Sequence, residues 1–395
     1  MKKKKLSALL AFLLLLSAFA YGCGSSSDEG SGDEASSNQE LRVLTSSEIP
    51  TMDSVMATDA TSFTMLSNVN EGLYALDQDN NLVPAVADGE PEVNAEGTEF
   101  TVTLKEDAVW SNGDQVTAHD FVYAWQKAID PETASTYGPY MMGGKIAGAK
   151  EITEAASAGE TYDVTTLGVE ALDNQTLVVK TAAVMTVDFF KGLMAFGTFL
   201  PQNQAFVEEQ GENYATSADT LLSNGPFKMA SWSGTTATEW TVEKNEDYYD
   251  ADSVSLTKIT FNVSKDSQSA VNAFESGEVD ITSKLSSDIV PQYEDDERLV
   301  SWLDPRLSWL KLNEDNEYLA NENIRRAIAI AFNKDDLVAD VLNNGSVAAN
   351  YVVPADFVKD EDGNDFRDAN GDLLTYDAEA AKQYWEQGLQ ELGVT

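Results

Sequence analysis

The sequence predicts an α/β fold, because short segments with strand periodicity alternate with helical segments from Leu41 onward. The clearest strand is residues 99–104, where every second residue is apolar and falls on one face. The clearest helix begins at Thr117, which forms a capping box with Asp120, and it ends before Pro131, which cannot continue it. Alternation of this kind is typical of a sheet covered by helices.

The first 22 residues have the pattern of a secretory signal peptide. Residues 2–5 are all lysine, and residues 6–20 are apolar apart from two serines. This apolar run is too short to span a bilayer, which needs about 20 residues in a helix. We therefore expect residues 1–22 to direct export and to be absent from the folded protein.

Cys23 follows the small residue Gly22 and is the only cysteine in the 395 residues. This position predicts cleavage before Cys23 and lipidation of its sulfur and of the new N-terminus, with each buried CH₂ adding about 0.8 kcal/mol of membrane anchoring. The alternative is a free thiol with no such role. Residues 24–40 contain no large apolar side chain, so residues 23–40 are expected to form the lipidated cysteine and a flexible acidic tether.

The composition is strongly acidic, with 67 Asp and Glu against 25 Lys and Arg and a net charge of −42. Loss of the four lysines of the signal peptide leaves 21 basic residues against 67 acidic ones, a net charge of −46. Such a chain lacks the cations that nucleic-acid phosphates require, and it lacks a basic membrane-binding face. The simplest interpretation is a solvated acidic surface that keeps the protein soluble, and a cation-binding role is the alternative.

The remaining elements continue the alternation. Gly277 suits the left-handed conformation that ends a helix, and Asn321 and Asp377 suit the caps of the two helices that follow them. The first of these two helices places Ala331 on its apolar face, and the last places Trp385 there. Together the signals predict helices at residues 268–275, 324–332 and 377–392 and strands at residues 176–180, 239–243, 279–281 and 308–313.

Catalytic chemistry finds little support in the sequence. His119, the only histidine, lies in the first helical turn after Thr117, where we expect it to be exposed and structural, so neither the usual triad nor a multi-histidine zinc site is predicted. Neither of the common nucleotide-binding glycine motifs occurs, and we expect no cofactor. Paired catalytic carboxylates cannot be recognised in so acidic a sequence, so a surface-anchored acidic hydrolase stays open as an alternative.

The densest group of carboxylates lies at residues 360–372. A calcium loop of the EF-hand type that began at Asp360 would need Gly at its sixth position and Glu at its twelfth, where the sequence has Asp365 and Gly371. A loop that began at Asp368 does not fit either. The Asp-Gly and Asn-Gly pairs instead predict two solvated turns, and we expect no metal site.

Ordered blocks along the chain resemble those of the extracellular solute-binding proteins of family 5, specifically the oligopeptide-binding lipoproteins of ABC importers. The blocks are PTMD at 50–53, ATDATSF at 57–63, NEGLY at 70–74, VWSNGD at 109–114, VTAHDFVYAW at 116–125, DPETAS at 130–135, SNGPF at 223–227, SGEVDI at 276–281, NIRRA at 323–327 and NGS at 344–346. Their fixed order makes the resemblance specific, and it covers the chain from about residue 41 onward.

The resemblance implies the two-lobed fold of the type II periplasmic binding proteins, in which the lobes close over a ligand. It implies a first-lobe core at residues 41–70 and 221–300, a subdomain inserted in that lobe at residues 71–220, and a second lobe at residues 301–395. Family members usually continue beyond the part that matches residues 377–392. We therefore expect the second lobe to be incomplete, and the carboxylate that pairs with the amine of a bound peptide cannot be assigned.

The resemblance also implies the function. A monomeric lipoprotein on the outer face of the cell membrane would capture short peptides and deliver them to the permease subunits of an ABC transporter. Such peptides bind as an added β-strand through their main chain. The residues expected near the ligand lie in a first-lobe loop, in a turn near the hinge and at the start of the second lobe: Ala57, Thr58, Asp59, Ala60, Asn224, Gly225, Arg306 and Trp309. Packing or turn formation is the alternative role of each residue, and a peptide-signal receptor is the alternative function.

Overall fold

The structure is a computed structural model that describes residues 39–394 apart from residues 305, 356 and 361. The described residues form two compact units, residues 39–284 and residues 285–394. In the described part of the chain, every sheet of two or more strands belongs to the first unit, whereas the second is built from helices and turns.

The predicted export and anchoring signals fall outside the described residues. These are the signal peptide at residues 1–22, the lipidated Cys23 and the tether as far as residue 38. The last two residues of the predicted tether instead belong to the folded unit, because the carbonyl of Gln39 accepts a hydrogen bond from the main-chain N–H of Thr257 at 2.9 Å and Glu40 begins a strand. Within the described ranges, none of the helices has both the length and the apolar character needed to cross a membrane.

The unit of residues 39–284 alternates strands and helices, as the sequence predicts. Its strands are β1 (Glu40–Thr45), β2 (Tyr74–Leu76), β3 (Leu82–Pro84), β4 (Glu92–Val93), β5 (Glu99–Thr103), β6 (Val169–Ala171), β7 (Thr176–Lys180), β8 (Phe227–Ser231), β9 (Glu239–Lys244) and β10 (Lys258–Val263). Its helices are α1 (Ala60–Val69), α2 (Ala118–Ile129), α3 (Tyr137–Met142), α4 (Ala149–Ser157), α5 (Val187–Met194), α6 (Gln204–Gln210) and α7 (Ser267–Glu275). The predicted strands at residues 176–180 and 239–243 and the helix at 268–275 are among them.

A four-stranded sheet in the order β1-β10-β9-β8 forms the centre of one core. β1 and β10 run parallel, with Glu40 beside Lys258, whereas β9 is antiparallel to both of its neighbours. The predicted strand at residues 279–281 adds only a single bridge to β1, at Val43 and Ile281. α1 packs against this sheet and contributes buried apolar side chains to its core.

A second sheet, in the order β4-β5-β7-β6 with every pair antiparallel, forms the centre of another core. Phe100, Val102 and Leu104 are fully buried in it, which confirms the period of two that predicted this strand. α2 packs on the same core and buries Trp125, whose indole N–H donates to the carbonyl of Phe199 at 3.0 Å. A small antiparallel hairpin of β2 and β3 completes the unit.

α2 begins as its capping box predicts. The main-chain N–H of Thr117 donates to the carboxylate of Asp120 at 2.8 Å, and the indole N–H of Trp110 donates to the same carboxylate at 3.3 Å. Burial raises the pKa of Asp120, and the hydrogen bonds to its carboxylate oppose that increase. His119 lies exposed in the same turn, where the sequence predicts it.

The unit of residues 285–394 is organised around two helices. Its helical segments are a 3₁₀ turn (Val290–Gln292), α8 (Glu322–Ile330), α9 (Lys334–Asp336), a π-helical segment (Leu337–Leu342), α10 (Phe366–Asn370) and α11 (Ala378–Glu391). α8 and α11 pack so closely that a Cβ added at Gly388 would lie 2.8 Å from the side chain of Ile324. The side chains of Asn321 and Asp377 cap these two helices, as predicted.

Three details of this unit correct the sequence predictions. Residues 308–313 form no strand, because no described strand pairs with them and a strand needs a partner for its main-chain hydrogen bonds. α8 ends at Ile330, which takes the buried position, so Ala331 is exposed. Trp385 is 45% exposed, because α11 presents Gly388 to α8.

The described residues of the acidic stretch, Asp360 and residues 362–365, form a turn. The carboxylate of Asp360 accepts hydrogen bonds from the main-chain N–H groups of Asp362 and Asn364, at 3.0 and 2.8 Å. Gly363 takes a positive φ of 81°, which a glycine adopts without strain. Over residues 39–394, the described acidic, histidine and cysteine side chains form no group of three placed to hold a metal ion.

Candidate ligand-binding site

The loop of residues 53–59, here called the candidate loop, leads into α1 and exposes unpaired main chain. Ala57 is buried, whereas Met56 and Thr58 on either side are exposed. The main-chain N–H and C=O of Thr58 have no hydrogen-bond partner among the residues that the structure describes. Asp59 is extended, with φ −120° and ψ 157°. Its carboxylate caps α1 by accepting a hydrogen bond from the main-chain N–H of Ser62 at 2.9 Å. An extended segment with free main-chain groups is the geometry that an added strand requires.

A polar network fixes the candidate loop to the rest of the unit. Lys127 of α2 donates to the carboxylate of Asp53 and to the side-chain oxygen of Gln202, both at 3.0 Å. Gln202 donates in turn to Asp53 at 2.7 Å and to Ser54 at 2.9 Å, and the hydroxyl of Ser135 donates to a main-chain carbonyl of the loop. Because Lys127 and Asp53 are mostly buried, losing either would leave a poorly solvated charge, so the network resists opening.

Four aromatic rings lie next to the candidate loop, and we call them the aromatic cluster. Phe63, in the first turn of α1, lies 5.8 Å from Tyr137 and 5.0 Å from Phe196 between ring centroids. Tyr137 lies 6.0 Å from Tyr140, which is 70% exposed. A Cβ added at Gly197 would lie 2.5 Å from the ring of Phe63, so this close approach needs glycine. The cluster offers flat, partly exposed rings at the start of α1, the helix that the candidate loop leads into.

Asn224 and Gly225 lie at the other end of α1. The side-chain oxygen of Asn224 accepts hydrogen bonds from the amide of Asn70 at 3.1 Å and from the N–H of Glu71 at 3.0 Å, and its amide donates to the carbonyl of Glu71 at 3.0 Å. A Cβ added at Gly225 would lie 2.9 Å from the main chain of Val69. These contacts hold the C-terminal end of α1 in place, so both residues have a packing role. A ligand contact by Asn224 or Gly225 stays a prediction.

A half-buried carboxylate joins this end of α1 to the segment after β9. Glu71 accepts hydrogen bonds from the hydroxyl groups of Tyr248 at 2.6 Å and Tyr249 at 2.8 Å. Burial raises the pKa of Glu71, and the two tyrosine hydrogen bonds and the nearby Lys105 oppose that increase. The amino group of Lys105 also lies 4.4 Å from the ring of Tyr249 and donates to the carbonyl of Ala85. We call these groups the Glu71 junction.

Arg306 and Trp309 belong to the unit of residues 285–394 and lie in a stretch without helix or strand. Arg306 donates to the carboxylate of Asp304 at 3.2 Å, but its side chain is 72% exposed. Trp309 is 73% exposed. Both side chains therefore project mostly into solvent.

The predicted site residues on the first unit gather at the two ends of α1, with Ala60 exposed at its first position. Arg306 and Trp309 lie in the other unit. Tyr137 and Tyr140 were not predicted as site residues, although they lie within five residues of the block DPETAS. Their spacing of three residues on a short helix was the available signal, since residues three apart share a helix face.

Comparison with protein families gives one extensive match. The model described as bacterial extracellular solute-binding proteins, family 5 Middle, matches residues 81–394. The dipeptide-binding protein of Lactococcus lactis subsp. cremoris is 30% identical over 100% of this chain and 70% of that protein. The dipeptide-binding protein DppE of Bacillus subtilis is 31% identical over 99% of this chain and 70% of that protein.

Solved structures with the same architecture include peptide-binding proteins. The peptide-bound OppA of Listeria monocytogenes is 36% identical, with a TM-score of 0.74 over 91% of this chain and 69% of that one. The pheromone receptor PrgZ, whose structure is described with its mode of peptide binding, is 32% identical, with a TM-score of 0.79 over 90% of this chain and 68% of that one.

Proposed function

Because the chain belongs to family 5 of the bacterial extracellular solute-binding proteins, we propose that it captures short peptides outside the cytoplasm and delivers them to the permease of an ABC importer. Membership also confirms the predicted α/β fold of the periplasmic-binding-protein type. Relatives named for binding dipeptides and oligopeptides support peptide as the ligand class. The proposal gives the chain a binding role and no chemistry of its own.

The observation that carries the proposal is the unpaired main chain at Thr58. An extended peptide can pair with this main chain whatever its side chains are, because every peptide presents the same N–H and C=O groups. The neighbouring aromatic cluster supplies a surface on which ligand side chains can pack. The Asp53 network holds the loop in place, so little conformational entropy is lost when a ligand binds. This combination suits binding that tolerates many peptide sequences.

We propose the predicted domain division as the functional one. The first-lobe core would comprise residues 41–70 and 221–300, the inserted subdomain residues 71–220, and the second lobe residues 301–395. Arg306 and Trp309 are then the second lobe's contribution to ligand binding, and Asn224 and Gly225 position the end of α1. The exposure of Arg306 and Trp309 supports their availability to a ligand.

The peptide assignment is tested first by native mass spectrometry of the full chain, which should reveal a co-purifying mixture of peptides. A preparation that retains only a sugar or a metal ion would contradict it. Calorimetry with one recovered peptide then compares Thr58→Pro with the wild type. Proline removes the main-chain N–H, and the lost hydrogen bond should weaken binding by about 0.5–1.5 kcal/mol, which is up to about tenfold in affinity.

We propose further that Cys23 carries a lipid anchor and that residues 24–38 act as its tether on the outer face of the membrane. The lone cysteine, the signal-like residues 1–22 and the polar tether support this anchor. Cys23→Ser should release the protein into the medium. A variant that stays in the membrane with unchanged lipid labelling would contradict the anchor.

A second candidate function is a peptide-signal receptor that reports to a regulator. It is favoured by the similarity to the pheromone receptor PrgZ. Binding data cannot separate the two functions, because both require peptide capture. A deletion strain separates them: failure to grow on peptides as nutrient indicates import, whereas normal growth with a lost response to a peptide signal indicates a receptor.

A further inference from the structure

A group of apolar side chains, here called the apolar ridge, lies on the unit of residues 39–284 and is separate from the peptide-site residues. It consists of Val93 of β4, of Ala182, Ala183 and Val184 in the loop before α5, and of Phe189 in the first turn of α5. All five residues are exposed, Val184 to 75% and Phe189 to 53%. Single exposed apolar residues are common on protein surfaces, but an exposed apolar loop followed by an exposed aromatic ring is typical of an interaction surface.

The apolar ridge is held in a fixed arrangement. The loop is attached at both ends, because the N–H of Ala182 donates to the carbonyl of Lys145 at 2.8 Å and the N–H of Met185 donates to the carbonyl of Gly97 at 3.0 Å. α5 is attached through the buried Phe190, whose ring stacks on a phenylalanine ring of β5 at 4.1 Å. A partner that binds the ridge therefore has little loop entropy to overcome.

The charges around the apolar ridge select the chemistry of its partner. Glu92, Glu96 and Asp188 are exposed close to ridge residues in the sequence, and within the described ranges none of the three forms a salt bridge. Of the nearby lysines, Lys180 pairs with Glu170, and Lys145 donates to the carbonyl of Tyr140. The whole chain carries a net charge of −42. A second copy of the chain, a nucleic acid and an anionic membrane surface would all be repelled. An apolar centre with an acidic rim fits a polypeptide that presents an apolar groove edged by Lys and Arg.

We propose that the apolar ridge is a docking surface for a basic polypeptide, namely the extracytoplasmic face of the permease that receives the peptide. The identity of this partner rests on the proposed function. The acidic rim steers the encounter, and Val184 and Phe189 supply the apolar contact that slows dissociation.

The test measures association of the full chain, loaded with peptide, with the permease complex in lipid nanodiscs. The ridge variants are Val184→Glu and Phe189→Ser, and both side chains are exposed, so folding should be retained. The matched control is Leu172→Glu, because Leu172 is equally apolar and exposed but lies in the turn between β6 and β7, at the opposite end of the same sheet. We expect both ridge variants to weaken association by at least about tenfold and the control by less than about twofold.

The proposal is overturned if the wild type does not associate with the permease, if both ridge variants associate as the wild type does, or if the control loses as much. A second arm uses phosphatidylglycerol vesicles, and wild-type binding that Val184→Glu abolishes there would replace the polypeptide by a membrane. Peptide calorimetry on the same samples separates the two hypotheses. A wild type that binds no peptide contradicts the proposed function, whereas the ridge variants should keep wild-type peptide affinity.

Discussion

The two units differ in where they place their tryptophans. The buried ones lie in the unit of residues 39–284, and the exposed ones lie in the unit of residues 285–394: Trp110, Trp125, Trp232 and Trp240 against Trp302, Trp309 and Trp385. Burial of apolar surface contributes about 25 cal/mol per Å² to folding, so a large aromatic ring stabilises only the unit that encloses it. The contrast teaches that the first unit carries most of the folding free energy.

The same contrast holds for the charged residues that are proposed to act in ligand binding or to support it. The candidate loop is tied down by the mostly buried pair of Lys127 and Asp53. Arg306, in the other unit, pairs with the half-buried Asp304, and its own side chain stays mostly exposed. If peptides bind through the proposed residues, a residue of the candidate loop is already positioned before binding, whereas the exposed side chain of Arg306 would be ordered by the ligand at a cost in side-chain entropy.

The largest effect should come from removing a buried ring. Trp125→Ala deletes a fully buried side chain and its hydrogen bond to the carbonyl of Phe199, and we expect it to lower the free energy of unfolding by about 3–5 kcal/mol. Trp385→Ala is the matched change in the other unit and should cost less than about 1 kcal/mol. Urea unfolding followed by circular dichroism measures both. Equal losses would contradict the difference between the units.

A smaller effect is expected at the two ion pairs. Asp53→Asn leaves Lys127 without its partner carboxylate in a mostly buried position, and should cost about 1–3 kcal/mol of stability. Asp304→Asn removes the half-buried partner of the exposed Arg306 and should cost less than about 1 kcal/mol. Thermal unfolding of the two variants compares them directly. If the Asp53 variant is as stable as the wild type, the polar network does not hold the candidate loop.

The pH dependence of stability should have opposite signs at two carboxylates. Burial raises the pKa of Glu71 above its ordinary value of 4.5, so its stabilising contribution is complete below that value and is lost as the pH rises through the raised pKa. Hydrogen bonds from Asn321, and then from Asn323, lower the pKa of Glu391, so its contribution is present above the ordinary value and is lost as the pH falls.

Charge-removing variants test these signs. Glu71→Gln should become more stable relative to the wild type as the pH rises from about 4 to about 8. Glu391→Gln should be less stable than the wild type at neutral pH and should approach it on acidification. Thermal melting from about pH 2.5 to about pH 8 measures both differences, because the contribution of Glu391 is lost below its ordinary pKa of 4.5. A pH-independent difference for either variant would show that its carboxylate titrates alike in the folded and unfolded states.

The smallest effect concerns the side chain of Thr58. If the candidate loop binds peptides through its main chain, Thr58→Ala leaves the relevant N–H and C=O groups in place and should change peptide affinity by less than about threefold. Calorimetry with the peptide used for Thr58→Pro provides the comparison. A tenfold loss in the alanine variant would assign the contact to the hydroxyl group instead.

Periodicity and capping residues predicted the helices and strands that short stretches of sequence determine by themselves. The strand at residues 99–104 and α2 follow from periodicity and from the capping box of Thr117, and both are found as predicted. The stretch at residues 308–313 has a strand-like sequence, but pairing depends on a partner that periodicity cannot report. The buried position of Trp125 and the exposed position of Trp385 likewise depend on what packs against each helix.

The candidate site was predicted in part for the same reason. Thr58 and Asp59 lie in one motif block, so the sequence alone marks them. The aromatic cluster joins Phe63, Tyr137 and Phe196, which are distant in sequence and meet only through tertiary packing. No pattern in the sequence reports such a meeting.

The parallel pairing of β1 with β10 has a consequence for the order in which the chain folds. β1 comes first, but its partner is made only after the intervening helices and strands, so that Glu40 pairs with Lys258. Closing so long a loop costs conformational entropy before the hydrogen bonds and packing of the paired strands can compensate for it. Pairings between distant segments therefore form slowly. The sheet of β4, β5, β7 and β6 lies wholly within that loop and does not need β1. If the chain crosses a membrane N-terminus first, the sheet of β1, β10, β9 and β8 cannot form until β10 has crossed. This sheet therefore completes its pairing only after most of the first unit has been translocated.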